Sequence, residues 1–99
     1  MMTIEKNRCG AELTVALDGR LDTVSAPEFE AVVKNELDGV DTLVLELKKL
    51  QYTSSAGLRV ILLAQKTMNK QGKMLLKNVA ECVMEVFEMT GLADLLTIE

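Results

Sequence analysis

The chain contains no histidine and no tryptophan, and its aromatic residues are one tyrosine and two phenylalanines. The absence of histidine excludes histidine-based catalytic triads, phosphohistidine relays and nearly every zinc site that is not made of cysteines alone. Two cysteines are too few for such an all-cysteine site. We therefore expect no metal centre, and we expect the core to be built from aliphatic side chains.

The charge and the apolar runs exclude two further classes of partner. The formal net charge of −4 argues against nucleic-acid binding, because a nucleic acid requires a basic surface. No apolar run approaches the roughly 20 residues that span a bilayer, and the N-terminal residues do not resemble a signal peptide. Cys9 and Cys82 have no paired spacing. We expect both thiols to be reduced, at least one to be buried, and the protein to be cytoplasmic without direct membrane insertion.

The first half of the chain alternates strand and helix patterns. Residues 3–7 and 11–18 predict a hairpin that turns at Cys9-Gly10. The segment Ser25-Ala26-Pro27-Glu28 has the capping-box pattern, with Ser25 as the N-cap of a first helix. We expect this helix to close at Gly39 and a buried strand to follow over residues 43–47.

The second half continues the alternation. A helix is predicted from about residue 56 to residue 71, with Gly72 as its stop signal. At 100° per residue one face of this helix carries the residues that we expect to face the core, namely Gly57, Val60, Ile61, Ala64 and Met68. A short strand follows at 74–76, and a third helix ends near Gly91. Residues 95–98 predict a last edge strand. The order β-β-α-β-α-β-α-β predicts one α/β domain over residues 1–99, with a small mixed sheet of about four or five strands and helices mainly on one side.

Two polar loops each connect a strand to a helix in this scheme. One contains Asp22 and the other contains Ser54 and Ser55. If the preceding strands are parallel, both loops open at the same edge of the sheet, where α/β folds place their sites. We therefore expect Asp22 and Ser55 to be neighbours. The free N–H groups at a helix start also accept a phosphate readily, so a serine there can be modified without disrupting the fold.

Three segments of the chain resemble the STAS domain of bacterial anti-sigma factor antagonists. The turn Gly19-Arg20-Leu21-Asp22 is similar to the Gly-x-Leu-Asp of that family. Residues 47–63, with Tyr52-Thr53-Ser54-Ser55-Ala56-Gly57-Leu58-Arg59-Val60 at their centre, resemble its signature stretch. Residues 86–92 are similar to its closing helix and Gly-Leu pair. The resemblance runs over nearly the whole chain, with the segments in the same order.

The resemblance implies partner switching by a non-catalytic regulator without a cofactor. In this family the unphosphorylated antagonist binds an anti-sigma factor, which is also a serine kinase of the histidine-kinase-like ATPase (HATPase) fold, and the sigma factor is released. The kinase then phosphorylates the antagonist, which breaks the complex, and a serine phosphatase restores it. By resemblance the phospho-acceptor is Ser55, with Ser54 as the alternative. The implied partner-binding residues are Asp22, Ser54, Ala56, Gly57, Leu58, Arg59 and Leu62.

The match departs from the best-known family pattern on both sides of the acceptor. Ser54 stands where aspartate is common, and Ala56 stands where serine or threonine is common. The first change removes a carboxylate and adds a second hydroxyl. Because serine is also favoured as an N-cap, Ser55 could serve only as a cap, although we expect Ser54 to take that role.

Other interpretations stay open for the surrounding residues and for the function. Asp22 could simply end a strand, and Gly57 could allow close packing against a strand or the approach of a partner. Leu58 and Leu62 could be covered by another helix or could form an exposed patch. The alternative function is a non-phosphorylated scaffold subunit of a lipid-transport ABC complex or of another signalling assembly.

Overall fold

The computed structural model describes residues 2–99, which form five strands and three α-helices. Their bounds are β1 Met2–Cys9, β2 Glu12–Leu21, α1 Ala26–Asn35, β3 Thr42–Glu46, β4 Leu50–Thr53, α2 Ser55–Asn69, β5 Lys73–Lys77 and α3 Glu81–Thr90, followed by a short 3-10 turn at Leu92–Asp94. The hairpin is longer than predicted, and α1 ends before Gly39. The helices otherwise lie where their apolar periodicity placed them.

The strands form one mixed sheet in the order β1-β2-β3-β5, with β4 also paired to β2. The β1–β2 hairpin is antiparallel, whereas β2–β3, β2–β4 and β3–β5 are parallel. This arrangement confirms the predicted α/β class and the mixed direction of the sheet. Parallel neighbours require crossover connections, which α1 and α2 supply.

Strand β4 is absent from the predicted order. It follows β3 after a turn at residues 47–49 and pairs with the end of β2 that β3 does not reach. The register shifts between Gly19 and Arg20, and the N–H of Gly19 donates to the carbonyl oxygen of Lys49 at 3.0 Å. Strand β4 is short, and both Gln51 and Tyr52 are exposed, so the segment lacks a continuous apolar signal.

The core lies on one face of the sheet, under the helices. Alternate residues of β2, including Leu13, Val15 and Leu17, are buried, and the residues between them are more exposed. Helix α1 packs against α2, α2 contacts β4 and β5, and α3 contacts β4. The α2 residues predicted to face the core are all buried, namely Gly57, Val60, Ile61, Ala64 and Met68. The largest buried side chains are mostly aliphatic, as the composition predicted.

Two predictions are wrong, one for the residue that ends α2 and one for a last strand after α3. Gly72 has no left-handed backbone that would stop α2, which already ends at Asn69. Residues 95–98 are not a strand, because this segment makes only one isolated bridge, between Ile98 and Leu76 of β5. The 3-10 turn before it leaves too little extended chain for a ladder.

The prediction that at least one cysteine is buried is also wrong. Cys9 lies at the end of β1, beside the hairpin turn, and Cys82 lies in the first turn of α3, and both are exposed. The thiol of Cys82 donates to the carbonyl oxygen of Gln51 at 3.3 Å, which ties the start of α3 to β4. No helix within residues 2–99 has both the length and the apolar character needed to cross a membrane.

Candidate functional site

The two polar loops leave the sheet side by side. Leu21 at the end of β2 is the parallel partner of Thr53 at the end of β4. The next residue, Ser54, donates its backbone N–H to the carbonyl oxygen of Leu21 at 2.8 Å. The Asp22 loop and the serine loop therefore share one edge of the sheet. The structure confirms the predicted juxtaposition of the two loops, although β4 rather than β3 provides the second one.

The two adjacent serines differ in structure. Ser54 is the N-cap of α2, with an extended backbone, and its Oγ accepts from the N–H of Gly57 at 3.4 Å. Ser55 is the first helical residue and its side chain is exposed, whereas Ser54 is half-buried. The capping role thus falls to Ser54, which leaves the Ser55 hydroxyl open to a partner. Helix α2 has no acidic residue in its first turn, so no carboxylate of that turn opposes an added anion there.

The Asp22 loop is held by a compact hydrogen-bonded turn. Its carboxylate oxygen Oδ1 accepts from the N–H groups of Val24 and Ser25, each at 3.0 Å. The Ser25 hydroxyl accepts from the N–H of Asp22 at 2.9 Å and donates to the carbonyl oxygen of Arg20 at 2.7 Å. Asp22 therefore closes the turn after β2, and its contribution to a partner surface stays a prediction.

The capping box predicted at Ser25 is wrong in its side-chain part. Ser25 does precede α1, and Pro27 lies in the first turn, but the serine side chain makes no capping hydrogen bond. It points back into the turn after β2 and is only 5% exposed. The physical reason is that the N–H of Asp22 and the carbonyl oxygen of Arg20 offer the hydroxyl a donor and an acceptor at once.

The hydrogen bonds of this turn stabilise the ionised carboxylate. The N–H of Ser25 is the main cause that holds the pKa of Asp22 below its ordinary value of 3.8. Burial acts in the opposite direction, and the Ser25 hydroxyl and the Val24 N–H each lower the pKa further by a smaller amount. A carboxyl group whose pKa is lowered by folding stabilises the folded state above its unfolded pKa. That stabilisation is lost as the pH falls through the lower, folded-state pKa.

Asp22→Asn should therefore flatten the acid limb of the stability curve. The asparagine oxygen can still accept from the two N–H groups, but the side chain no longer titrates. We expect the free energy of unfolding of the wild type to fall more steeply than that of the variant below about pH 4. Urea titrations between about pH 3 and pH 6 measure both slopes. Parallel curves over that range would contradict the proposed role of the carboxylate.

Close packing inside the domain requires a glycine at position 57. A Cβ atom at this position would lie 2.5 Å from Oγ1 of Thr53 and 2.6 Å from Cγ of Leu21. The first turn of α2 thus rests directly on the ends of β2 and β4, which resolves the choice that the sequence left open in favour of close packing against a strand. This contact also sets the position of the serine loop relative to the Asp22 loop.

The remaining predicted partner-binding residues divide between core and surface. Leu58 is 9% exposed and belongs to the core, and Leu62 is half-buried against it. Leu58 is therefore covered within the domain and does not form an exposed apolar patch. Arg59 is exposed and Ala56 is half-buried. Arg59 follows Ser55 by one helical turn, so the two side chains lie on the same side of α2.

Two exposed features at this edge were not predicted. Val24, in the Asp22 turn, is 84% exposed. The Arg20 guanidinium lies over the Tyr52 ring, 4.2 Å from its centroid, and joins the next-to-last residues of β2 and β4 on the face away from the core. An apolar residue inside a polar turn was the available signal for Val24. The Arg20–Tyr52 pair could not be found before β4 was placed beside β2.

Comparison with known proteins agrees with this architecture. The family model described as the STAS domain matches residues 1–99. The chain is 36% identical over 92 residues to BtrV of Bordetella bronchiseptica, covering 91% of this chain and 79% of BtrV. It is 35% identical over 89 residues to the anti-sigma-B factor antagonist of Bacillus subtilis strain 168, covering 88% of this chain and 81% of that protein.

A solved structure shows the same fold. The structure of the Bacillus cell fate determinant SpoIIAA in the phosphorylated form aligns with a TM-score of 0.78 at 18% identity, covering 98% of this chain and 91% of SpoIIAA. The family model and the two relatives cover most of the chain, including both loops of the edge site. On this evidence the chain belongs to the STAS domain family.

Proposed function

We propose that this protein is an anti-sigma factor antagonist whose binding is switched by phosphorylation of Ser55. The observation that carries the proposal is the division of roles at the start of α2, where Ser54 caps the helix and Ser55 presents an exposed hydroxyl. The name of the Bacillus subtilis relative supports the antagonist function. The partner is an anti-sigma factor that is also a HATPase-like serine kinase, and a serine phosphatase reverses the modification.

Phosphorylation at this position changes the partner surface more than the fold. A phosphate adds about −1.5 to −2 charges, and at a helix start it meets free N–H groups and the positive end of the helix dipole. The same edge already carries the ionised Asp22. The added bulk and charge therefore disrupt a close interface, while the helix itself tolerates them. SpoIIAA, which has the same fold, is a protein for which a phosphorylated form has been solved.

The proposed role is that of a regulator rather than an enzyme. The Ser55 hydroxyl supplies the attacking oxygen in a transfer that the partner kinase catalyses, so this chain needs no catalytic base and no cofactor of its own. ATP loses its terminal phosphoryl group to Ser55 Oγ, ADP leaves, and the serine proton is released. The phosphatase later hydrolyses the ester with water, which returns the free hydroxyl and inorganic phosphate.

Arg59→Glu should weaken binding of the anti-sigma factor without destabilising the domain. Arg59 is exposed, so its replacement leaves the core intact, while it reverses a charge one helical turn from Ser55. We expect an affinity loss of about tenfold or more, since a reversed charge at a close interface costs on the order of 1–3 kcal/mol. Titration calorimetry measures the affinity and thermal unfolding measures the Tm. An unchanged affinity would remove Arg59 from the interface, and a matched loss of Tm and affinity would indicate packing instead.

The proposed function is tested by incubating the protein with ATP and each HATPase-like kinase of the same genome. Intact mass followed by peptide mapping should show one phosphate, located on Ser55, with a single kinase. That kinase should also bind the unphosphorylated protein and release its sigma factor. If the folded protein receives no phosphate and binds none of the kinases, the switch is wrong. A pull-down that instead recovers a membrane transport complex would support the scaffold alternative.

A further inference from the structure

An apolar side chain stands out from the polar edge beside Ser55. Val24 is 84% exposed, whereas Leu21, at the end of the preceding strand, is fully buried. Val24 therefore contributes nothing comparable to the core, and its exposure to water is unfavourable in the free protein. Met89 near the end of α3 is exposed to the same degree, at 86%. The two residues differ in position, because Val24 lies in the turn next to the serine loop and Met89 lies in α3.

The backbone that carries Val24 is fixed before any partner arrives. Its own N–H donates to Oδ1 of Asp22, and the N–H of the next residue, Ser25, donates to the same oxygen. The buried Ser25 hydroxyl then ties the turn to the end of β2 through Arg20. Valine itself has few side-chain rotamers. Little conformational entropy is therefore lost when this side chain is bound, which favours it as an interface anchor.

The turn is also continuous with the proposed switch. The hydrogen bond from Ser54 N–H to the Leu21 carbonyl oxygen joins the two loops at their base and fixes their relative position there. A partner that covers the Ser55 hydroxyl consequently meets the Asp22 turn as well. Interfaces of this kind place a small number of well-packed side chains at their centre, and a preorganised apolar residue suits that position.

We propose that Val24 is an apolar anchor of the interface with the anti-sigma factor and enters an apolar pocket of that protein. Asp22 acts as a positioning residue, because its carboxylate holds the turn that presents Val24. The inference rests on the proposed function, whose anti-sigma factor is the partner concerned. The turn then contributes to the affinity for the partner, whereas Ser55 accepts the phosphate.

Binding of the unphosphorylated variants to the anti-sigma factor tests the anchor. Val24→Ala removes two methyl groups from the contact and should lower the affinity about tenfold or more. Val24→Thr keeps the shape but replaces a methyl group by a hydroxyl, so it should also weaken binding. Met89→Ala is the matched control, because Met89 is equally exposed. The first turn of α3 contacts β4 through Cys82, whereas Met89 lies at the opposite end of that helix. We expect its affinity to stay within about twofold of the wild type.

The positioning role of Asp22 is tested by a conservative pair. Asp22→Ala removes the acceptor that orders the turn and should weaken binding, whereas Asp22→Asn keeps an acceptor oxygen and should restore most of the affinity. Equal weakening by both variants would overturn the positioning role and indicate direct contact of the carboxylate with the partner. Thermal unfolding of every variant checks that the domain remains folded at the temperature of the assay.

The outcomes distinguish a failure of the Val24 anchor from a failure of the proposed antagonist function. Wild-type binding together with undiminished binding by Val24→Ala would overturn the anchor alone. Equal losses for Val24→Ala and Met89→Ala would also overturn it, because exposure rather than position would then explain the effect. Absence of wild-type binding to any anti-sigma factor would contradict the proposed function, and the anchor with it.

Discussion

Ser55→Ala is expected to abolish kinase-dependent phosphate incorporation. The exposed hydroxyl at the first position of α2 is the proposed acceptor, and alanine leaves nothing to phosphorylate there. The loss should be complete, since no partial activity remains without the acceptor oxygen. Intact mass after incubation with ATP and the cognate kinase measures the incorporation directly. Alanine is a good helix residue, so the variant should keep its fold.

Ser54→Ala is the matched control for this experiment. It removes the N-cap hydrogen bond to Gly57 and should cost about 1 kcal/mol of stability, but it should still accept one phosphate. Ser55→Asp should in turn weaken binding of the anti-sigma factor, because it places a permanent negative charge at the interface. Full incorporation into Ser55→Ala with none into Ser54→Ala would move the acceptor to Ser54 and exchange the roles assigned to the two serines.

Gly72→Ala should produce the largest loss of stability. A Cβ atom at Gly72 would fall inside the contact distance of the Asp41 carbonyl oxygen and 2.6 Å from its carbonyl carbon. That carbonyl cannot easily move, since it accepts from the N–H of Lys73 at 2.9 Å where β5 begins to pair with β3. We expect the free energy of unfolding to fall by about 3 kcal/mol, at the upper end of ordinary overpacking. Urea unfolding at neutral pH measures the change.

Gly10→Ala separates the loss of space from the loss of glycine. Gly10 has a positive φ of 62°, but a Cβ atom there would meet nothing within 4 Å. Its replacement should therefore cost only the left-handed backbone strain, about 1–2 kcal/mol. If Gly72→Ala costs no more than Gly10→Ala, the backbone at Asp41 yields to the added carbon, and the close approach is not what requires glycine at position 72.

Much of the fold followed from local patterns. Alternating apolar residues located the hairpin, and the period of Val60, Ile61 and Ala64 identified the buried side of α2. Such patterns are legible in sequence because each strand or helix must bury one side. The neighbouring loops at Asp22 and Ser55 also followed, since parallel strands that each lead into a helix open at one edge.

The errors share a physical cause, which is competition between local and distant contacts. Ser25 has a good capping pattern, but its hydroxyl instead bonds a backbone donor and a backbone acceptor in the preceding turn. Gly72 resembles a helix stop, but the approach of Asp41 from another part of the chain is what leaves no room for a side chain. Strand β4 is short and half exposed, and only its pairing with β2 defines it.

The sequence by itself determined the α/β class, the family resemblance and the edge at which the candidate acceptor lies, because all three depend on residue types at set spacings. Only the tertiary structure decided which serine caps α2 and which is exposed, and that Leu58 is covered while Val24 is not. Solvent exposure is set by segments that are distant in the chain, which pack over some side chains and leave others open. The local pattern around a residue does not contain that information.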